Sequence, residues 1–462
     1  MPQTTRTWIA EQVESFREAS ALPFHSLLDP AKVKAAMAAE GVKHNESTYT
    51  PLVTLSLFLS QVLDRDHSCR AAVARLIVYL AINGRRTCAP DTGSSCDARH
   101  RLPLPVIKHL VRQTAQEIEE GSSDAWLWNG RHVVLVDGTT ASMPDTPENQ
   151  KAFPRPETQE AGLGFPLVRM VAIIALASGV VRDLALGPYQ GEETGETALF
   201  RALWDRLQAG EIVLGDRAYA SLFGITGLSA RGVDGLFRMH QRRKFDFRRG
   251  RRLGVEDHVV TWSKPVRPDW MDEETYAQIP QELTVRELRV TVDQPGFRVH
   301  EMVLVTTLVD VERYPKDEIA DLFIQRWNIE LDFRSIKVVL QRDIPRCETP
   351  EMVEKEIWMH LLAYNLIRGV IAKAAAAHAK QPRQVSFQGA LQTLTAFQEA
   401  LRQASPSARD RLMKEMLKAI ARHRIGNRFG RVEPRAKKRR PKPQRYLTEP
   451  RAQARKRLMQ KA

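Results

Sequence analysis

Four charges recur at helical spacing in the stretch Asp321–Leu340, which reads D-L-F-I-Q-R-W-N-I-E-L-D-F-R-S-I-K-V-V-L: Arg326, Glu330, Arg334 and Lys337. On a regular helix turning ~100° per residue they share an arc of about 80°. Leu322, Ile329, Phe333 and Ile336 flank the arc on one side, and Ile324, Trp327, Leu331 and Val338 on the other, so a stripe walled by core is expected. Gln325, Asn328, Asp332 and Ser335 form a second polar stripe roughly opposite, the expected solvent face. An Arg–Glu pair four residues apart often does no more than decorate a surface helix. A carboxylate held between cations and walled by apolar groups is costly to build unless it binds something. A metal on Glu330, with phosphates on Arg326 and Lys337, meets that condition and demands partner carboxylates elsewhere.

Two stretches supply them. Val133–Val136 is a continuous apolar run, the signature of a buried strand, and it is followed at once by Asp137-Gly138-Thr139-Thr140. Ile212–Leu214 is a second such run, followed by Gly215-Asp216-Arg217. One Asp at a strand's end is commonly a turn or cap residue. Two of them, with a Glu on a charged helix, form a constellation. Between and after them the pattern predicts a hairpin of Leu167–Ala177 and Val180–Leu186, an amphipathic helix over Gly195–Ala209, a helix Tyr219–Arg231, and strands Gly235–His240 and Glu301–Val309. This mixed α/β order resembles ribonuclease H, in which strands one and four are neighbours. Their Asp side chains then converge with Glu330 to hold two divalent ions, roughly 3.5–4 Å apart, around a phosphodiester. Oxygen-only ligands favour Mg²⁺ or Mn²⁺ over zinc.

The 462 residues suffice for several domains, and the net charge of +14 is concentrated in two places. Arg431–Ala462 holds 13 Lys/Arg against two acids, and Gln241–Leu253 holds seven against Asp246, so the remaining chain is slightly acidic. Such blocks suit a polyanion, or form a solvated tail and a basic hairpin loop. Cys69, Cys88, Cys96 and Cys347 lack C-x-x-C pairing and are expected to be reduced thiols of a cytosolic protein. The apolar runs near Leu52–Leu63 and Met170–Val181 are too short for a bilayer, and no membrane role is expected.

The predicted organisation is an α/β, ribonuclease H-like catalytic core interrupted by a β-rich insertion, with helical N- and C-terminal regions. Residues 1–125 form a helical DNA-recognition region, 126–240 the first part of the core, 241–300 the insertion, and 301–345 the second part with the Glu helix. Residues 346–430 are helical and brace the site or dimerise, and 431–462 are a basic tail, disordered until it meets DNA. In the first region Pro51–Leu63 and Ser68–Leu80 read as an αα-hairpin compatible with helix-turn-helix, and Ser94–Leu102 as a short basic helix stopped by Pro103.

The spacing of Phe323, Arg326, Glu330 and Lys337 is similar to the Y-(2)-R-(3)-E-(6)-K signature of the insertion-sequence-four family of DDE transposases, with Phe at the Tyr position. Asp137-Gly138-Thr139 and Gly215-Asp216-Arg217-Ala218-Tyr219 resemble that family's two Asp motifs, and the resemblance runs from about Thr48 to Arg368. It implies a bacterial cut-and-paste DNA transposase, cytoplasmic and nucleoid-associated, with Asp137, Asp216 and Glu330 as the metal-holding catalytic triad. It also implies terminal inverted repeats and target DNA as partners, a homodimer in the synaptic complex, and Phe323, Arg326 and Lys337 at the DNA. In the hairpin step of that family, the Trp at the position of Trp327 fills the gap left by a flipped base, and another side chain stacks on that base. Here the stacker is Met302, Trp262 or absent, and by residue type Trp327 reads equally as core. Two other readings are a DNA-binding protein descended from such an enzyme, which the intact carboxylates and cations oppose, and a metal-dependent nuclease without strand transfer.

Overall fold

The computed structural model describes residues 28–42, 48–64, 66–82, 84, 86–160, 162–291, 301–339, 345–425 and 447–460. Much of the basic tail, 431–446 and 461–462, and the first 27 residues of the N-terminal region lie outside them. Helices come first: α1 (Pro30–Ala39), α2 (Pro51–Leu63), α3 (Cys69–Ile82), α4 (Gly93–Arg101) and α5 (Leu104–Glu120). Thr50 caps α2 by accepting the Val53 N–H, and Pro51 opens the helix where no backbone donor is needed. The helix pair expected from apolar spacing is present as α2 and α3.

The chain then runs β1 (Val133–Ser142), α6 (Pro147–Ala152), β2 (Leu167–Ala175), β3 (Val181–Pro188), α7 (Glu196–Arg201), β4 (Ile212–Gly215), α8 (Leu222–Ser229) and β5 (Asp234–Arg238). It continues through β6 (Arg251–Gly254), β7 (Asp257–Ser263), α9 (Glu273–Gln278), β8 (Glu282–Thr291) and β9 (Glu301–Thr306). Helices α10 (Lys316–Ile324), α11 (Asn328–Arg334), α12 (Pro350–Ala377), α13 (Phe387–Gln403), α14 (Pro406–Arg422) and α15 (Arg451–Met459) follow. No helix of the described residues is long and apolar enough to cross a membrane.

All strands join one sheet in the order β3-β2-β1-β4-β5-β9-β8-β7-β6. β1, β4 and β5 are parallel, while β2, β3 and β9 run antiparallel to their neighbours, so strands one and four are adjacent as expected. Alternate side chains serve two cores. Val133, Leu135, Ile212 and Leu214 join the core that contains the apolar faces of α2, α5 and α12, whereas Val134, Val136 and Val213 join the core under α7 and α8. Burial on both faces is why these strands read as unbroken apolar runs.

Three elements differ from expectation. β1 does not stop before Asp137, because its pairing with β2 continues to Ser142↔Leu167, while its pairing with β4 stops at Leu135↔Leu214. Within the described part of the expected insertion, residues 241–291, the chain is β-rich, and β6, β7 and β8 extend the core sheet through the β8–β9 ladder, which runs from Arg286↔Thr306 to Thr291↔Glu301. The helix expected over Gly195–Ala209 shortens to α7 and a 3₁₀ turn at Trp204–Arg206, where the Trp204 ring packs against Gly227 of α8.

The charged stretch 321–340 is not one regular helix either. α10 tightens into a 3₁₀ turn at Gln325–Trp327, resumes as α11 and widens into a π-helical turn at Ser335–Val339. Asp332, expected on the solvent stripe, is fully buried, while Trp327 and Leu331, expected as core wall, are 45% and 43% exposed. The cause is a set of partners remote in sequence. Arg368 Nη2 donates to Asp332 at 2.5 Å and Arg383 Nη1 at 2.7 and 2.8 Å. Tyr364 Oη lies 2.9 Å from both Asp332 and the Gly179 carbonyl, and Arg383 also donates to the carbonyls of Ala175 and Leu176. The cluster ties α11 to α12 and to the β2–β3 turn. Asp332→Ala leaves the buried guanidinium groups without their anion and is expected to cost about 3–5 kcal/mol, read as a lower urea midpoint at unchanged slope.

Candidate active site

The parallel register pairs Leu135 with Leu214, so Asp137, still paired with β2, and Asp216, just past the end of β4, lie at the same level, each two residues further on. Gly215 is needed for this approach: a Cβ there would lie 2.9 Å from both Val136 Cγ1 and Tyr219 Cδ2. Beyond it β4 ends, and Asp216 opens the 3₁₀ turn Arg217–Tyr219. Asp137 shares its strand parity with Val133 and Leu135, and so faces the layer that holds Ile329 of α11.

Arg326 joins the third acid to this pair. Its guanidinium is 3.5 Å from Asp137 Oδ2 and 3.9 Å from Glu330 Oε1. Lys337, carried inward by the π-helical turn, donates to Thr139 Oγ1 and, at 2.7 Å, to the Thr140 carbonyl. Both expected cations therefore lie along β1 beside Asp137, and Arg334 is exposed. Burial pushes the Asp137 carboxyl up to about 6, although the Gly138 N–H and Arg326 pull it down, and the charges of Glu196 and Asp216 add to the rise. A buried acid with acidic neighbours and one loose guanidinium is short of positive charge.

The donor set is all oxygen, which fits a hard divalent cation. Among the described residues no three such side chains close on one point as ligands. Glu330 is about half exposed and is linked to Asp137 through Arg326.

The remaining candidates separate by burial. Trp327 is exposed beside Arg326, whose guanidinium lies 5.8 Å from the indole centroid. Phe323 is buried in the core, so the family's aromatic position is occupied by a packing residue. Trp262 is also buried: its indole N–H donates to Glu287 at 2.7 Å, and Arg243 lies over the ring at 3.6 Å. It therefore offers no open face to a flipped base. Met302 on β9 is half-buried against the core, while Trp270 is 40% exposed with Arg201 stacked on it at 3.8 Å. Two residues at the site carried no role in the sequence reading. Tyr219 sits in the second Asp motif with its buried hydroxyl unpartnered, and Glu196 opens α7 with no motif to mark it.

Two acids at one level of neighbouring strands, a third on a helix linked through Arg326, and Lys337 donating to β1 form the arrangement expected of a phosphoryl-transfer enzyme of the DDE class. The model of the transposase DDE domain matches residues 128–366, over half of the chain. Transposase InsG for insertion sequence element IS4 of Escherichia coli (strain K12) is 30% identical over 421 residues, covering 90% of this chain and 91% of that protein. The chain belongs to the transposase DDE-domain family, in the branch of that insertion sequence, and is a DNA transposase. Putative transposase InsZ of the same strain is 26% identical over 141 residues, 30% of this chain and 45% of its own length. A piggyBac transposase synaptic complex with hairpin DNA is similar at TM-score 0.43 and 8% identity, covering 88% of this chain and 85% of that one. Chemistry in this family depends on a divalent metal.

The raised Asp137 carboxyl has a consequence for stability. Between the ordinary carboxylate value near 4 and about 6, the folded chain keeps a proton that the unfolded chain has released, so stability falls as pH rises through that window. Asp137→Asn removes the penalty. In buffer with chelator it is expected to stabilise the protein by about 2–3 kcal/mol at pH 8 and by little at pH 4, measured by urea unfolding at the two pH values.

Proposed function

We propose that this transposase binds terminal inverted repeats, pairs two ends as a homodimer, and excises and joins DNA by in-line phosphoryl transfer through a hairpin intermediate, as a cytoplasmic, nucleoid-associated enzyme. The observation that carries the reading is the level pairing of Asp137 with Asp216, with Glu330 brought to Asp137 across Arg326. Asp137, Asp216 and Glu330 hold two divalent ions, Mg²⁺ or Mn²⁺, in a ribonuclease H-like core. Those ions supply activation of the attacking oxygen and stabilisation of the leaving 3′-oxygen. Arg326 and Lys337 hold phosphates flanking the scissile one, which requires each to exchange a protein oxygen for a phosphate oxygen.

Asp137→Asn, Asp216→Asn and Glu330→Gln keep side-chain shape but weaken the cation site. Each is expected to abolish Mg²⁺-dependent cleavage of an end-bearing duplex while leaving end binding in a mobility-shift assay nearly intact. Near-normal cleavage by any one removes that residue from the triad.

Trp327 is 45% exposed beside Arg326, enough to present part of its indole to a DNA strand. Base stacking contributes ~1–3 kcal/mol, comparable to the few kcal/mol that unstacking a base costs. Trp327→Ala is therefore expected to nick at wild-type rate and to form hairpins about tenfold or more slowly, with partial rescue on an abasic substrate. A time course resolving nicked, hairpin and excised products decides it, and equal rates for all three would make Trp327 a spectator.

A further inference from the structure

The other face of the sheet delivers one more carboxylate to the same point of β1. Glu196 is the first residue of α7, whose apolar residues Leu199 and Phe200 belong to the core opposite Asp137. Its side chain lies flat over Gly138: a Cβ on that glycine would be 2.4 Å from Glu196 Cδ and 2.5 Å from Oε1. A Cβ at 138 would force this side chain to shift from its present position. β4 has already ended here, so β1 lacks a neighbour on that side, and an acid from the second face can reach the level of Asp137 and Asp216.

Three observations mark this acid as more than a helix-start residue. An acid at a helix N-terminus gains from the helix dipole without lying on a neighbouring strand, and α7 has only six residues to supply one. Among the described residues Glu196 makes no hydrogen bond or ion pair, although it is half-buried. Tyr219 is 3% exposed and its hydroxyl has no partner; burial pushes that hydroxyl up most, the charges of Glu196, Asp137 and Asp216 add to the rise in that order, and Arg169 opposes them. A buried hydroxyl left unpaired beside three carboxylates is costly unless a bound ion gathers them within its reach. Mutual repulsion explains why the acids do not already close on one point.

Resting on the function proposed above, we propose that Glu196 is a fourth carboxylate of the catalytic cation site. With Asp137 and Asp216 it would help hold an ion at the level where β4 ends, and the Tyr219 hydroxyl, unpaired in this structure, would then donate to Glu196 and position it. Gly138 is then a required part of the first Asp motif, because its bare backbone lets the two faces share one ion.

The test is Mn²⁺ binding to the full-length protein, followed by electron paramagnetic resonance of the free ion, together with Fe²⁺-directed backbone scission. Glu196→Gln is expected to weaken one Mn²⁺ by at least tenfold and to suppress scission beside Gly138 and Tyr219, with an unchanged thermal midpoint. Tyr219→Phe is expected to give a smaller loss at the same ion. Glu196→Asp, which keeps the charge on a shorter arm, is expected to bind with intermediate affinity, so a folding defect in Glu196→Gln does not decide the matter. Wild-type Mn²⁺ affinity and scission in Glu196→Gln or in Glu196→Asp, with Asp137→Asn deficient in both, overturns this inference alone. Wild-type binding in Asp137→Asn as well overturns the proposed function.

Discussion

The burial of Asp332 between two guanidinium groups governs where the rest of its helix can go. A fully buried carboxylate is tolerable only with its charge matched and its oxygens saturated, and Arg368, Arg383 and Tyr364 do both. Fixing one residue of α11 fixes the rotation of all of them. Glu330, two residues earlier, is turned about 200° from Asp332 and so faces away from α12. Arg383 extends the constraint to the end of β2 by donating to the carbonyls of Ala175 and Leu176. The helix with the third acid is thus referenced to the sheet with the first two by buried ionic contacts, which are sharply directional where apolar packing is not.

Much of this arrangement was legible in the sequence, for reasons that also mark where reading failed. Strands buried on both faces leave unbroken apolar runs, so β1 and β4 and the acids after them stood out. The spacing of Arg326, Glu330 and Lys337 survives as a set that approaches β1, even though the helix is irregular. Asp332 was assigned to solvent because ideal periodicity knows nothing of Arg368 and Arg383, which lie 36 and 51 positions away. Leu331 was placed on the apolar wall because apolar type predicts burial, and Trp327 read as either wall or DNA contact; both are nearly half exposed. Phe323, expected at the DNA from the signature, and Trp262, one of the alternatives for the stacking residue, are both buried in the core. Glu196 had no signal, since one Glu at the start of a short helix is common and its meaning lies only in what Gly138 permits.

The irregular turns of the charged helix reconcile two demands that a uniform helix could not meet together. Asp332 must face α12, while Arg326 and Lys337 must both face β1. The 3₁₀ turn at Gln325–Trp327 over-rotates the chain before α11, and the π-helical turn at Ser335–Val339 under-rotates it afterwards. Each cation reaches the strand with the anchor undisturbed. Such turns forgo ideal helix geometry, and they flank the acid they serve.

Charge balance then links the site to its substrate. Asp137, Asp216, Glu330 and Glu196 outnumber Arg326 and Lys337, and burial already holds the Asp137 carboxyl well above its ordinary value. Arg326 is a loose counter-ion, 3.5 and 3.9 Å from its two acids and beyond good hydrogen-bonding distance from either. Two divalent cations on the four acids would reverse the sign of the site and leave Arg326 and Lys337 in excess. On the proposed reading, phosphates of the scissile strand would restore neutrality, and the guanidinium would turn from carboxylate to phosphate with little movement because the two anions compete for one fork. The exchange is confined to the scissile strand, so a weakened cation site would disturb cleavage there and leave contacts with the rest of the DNA end in place.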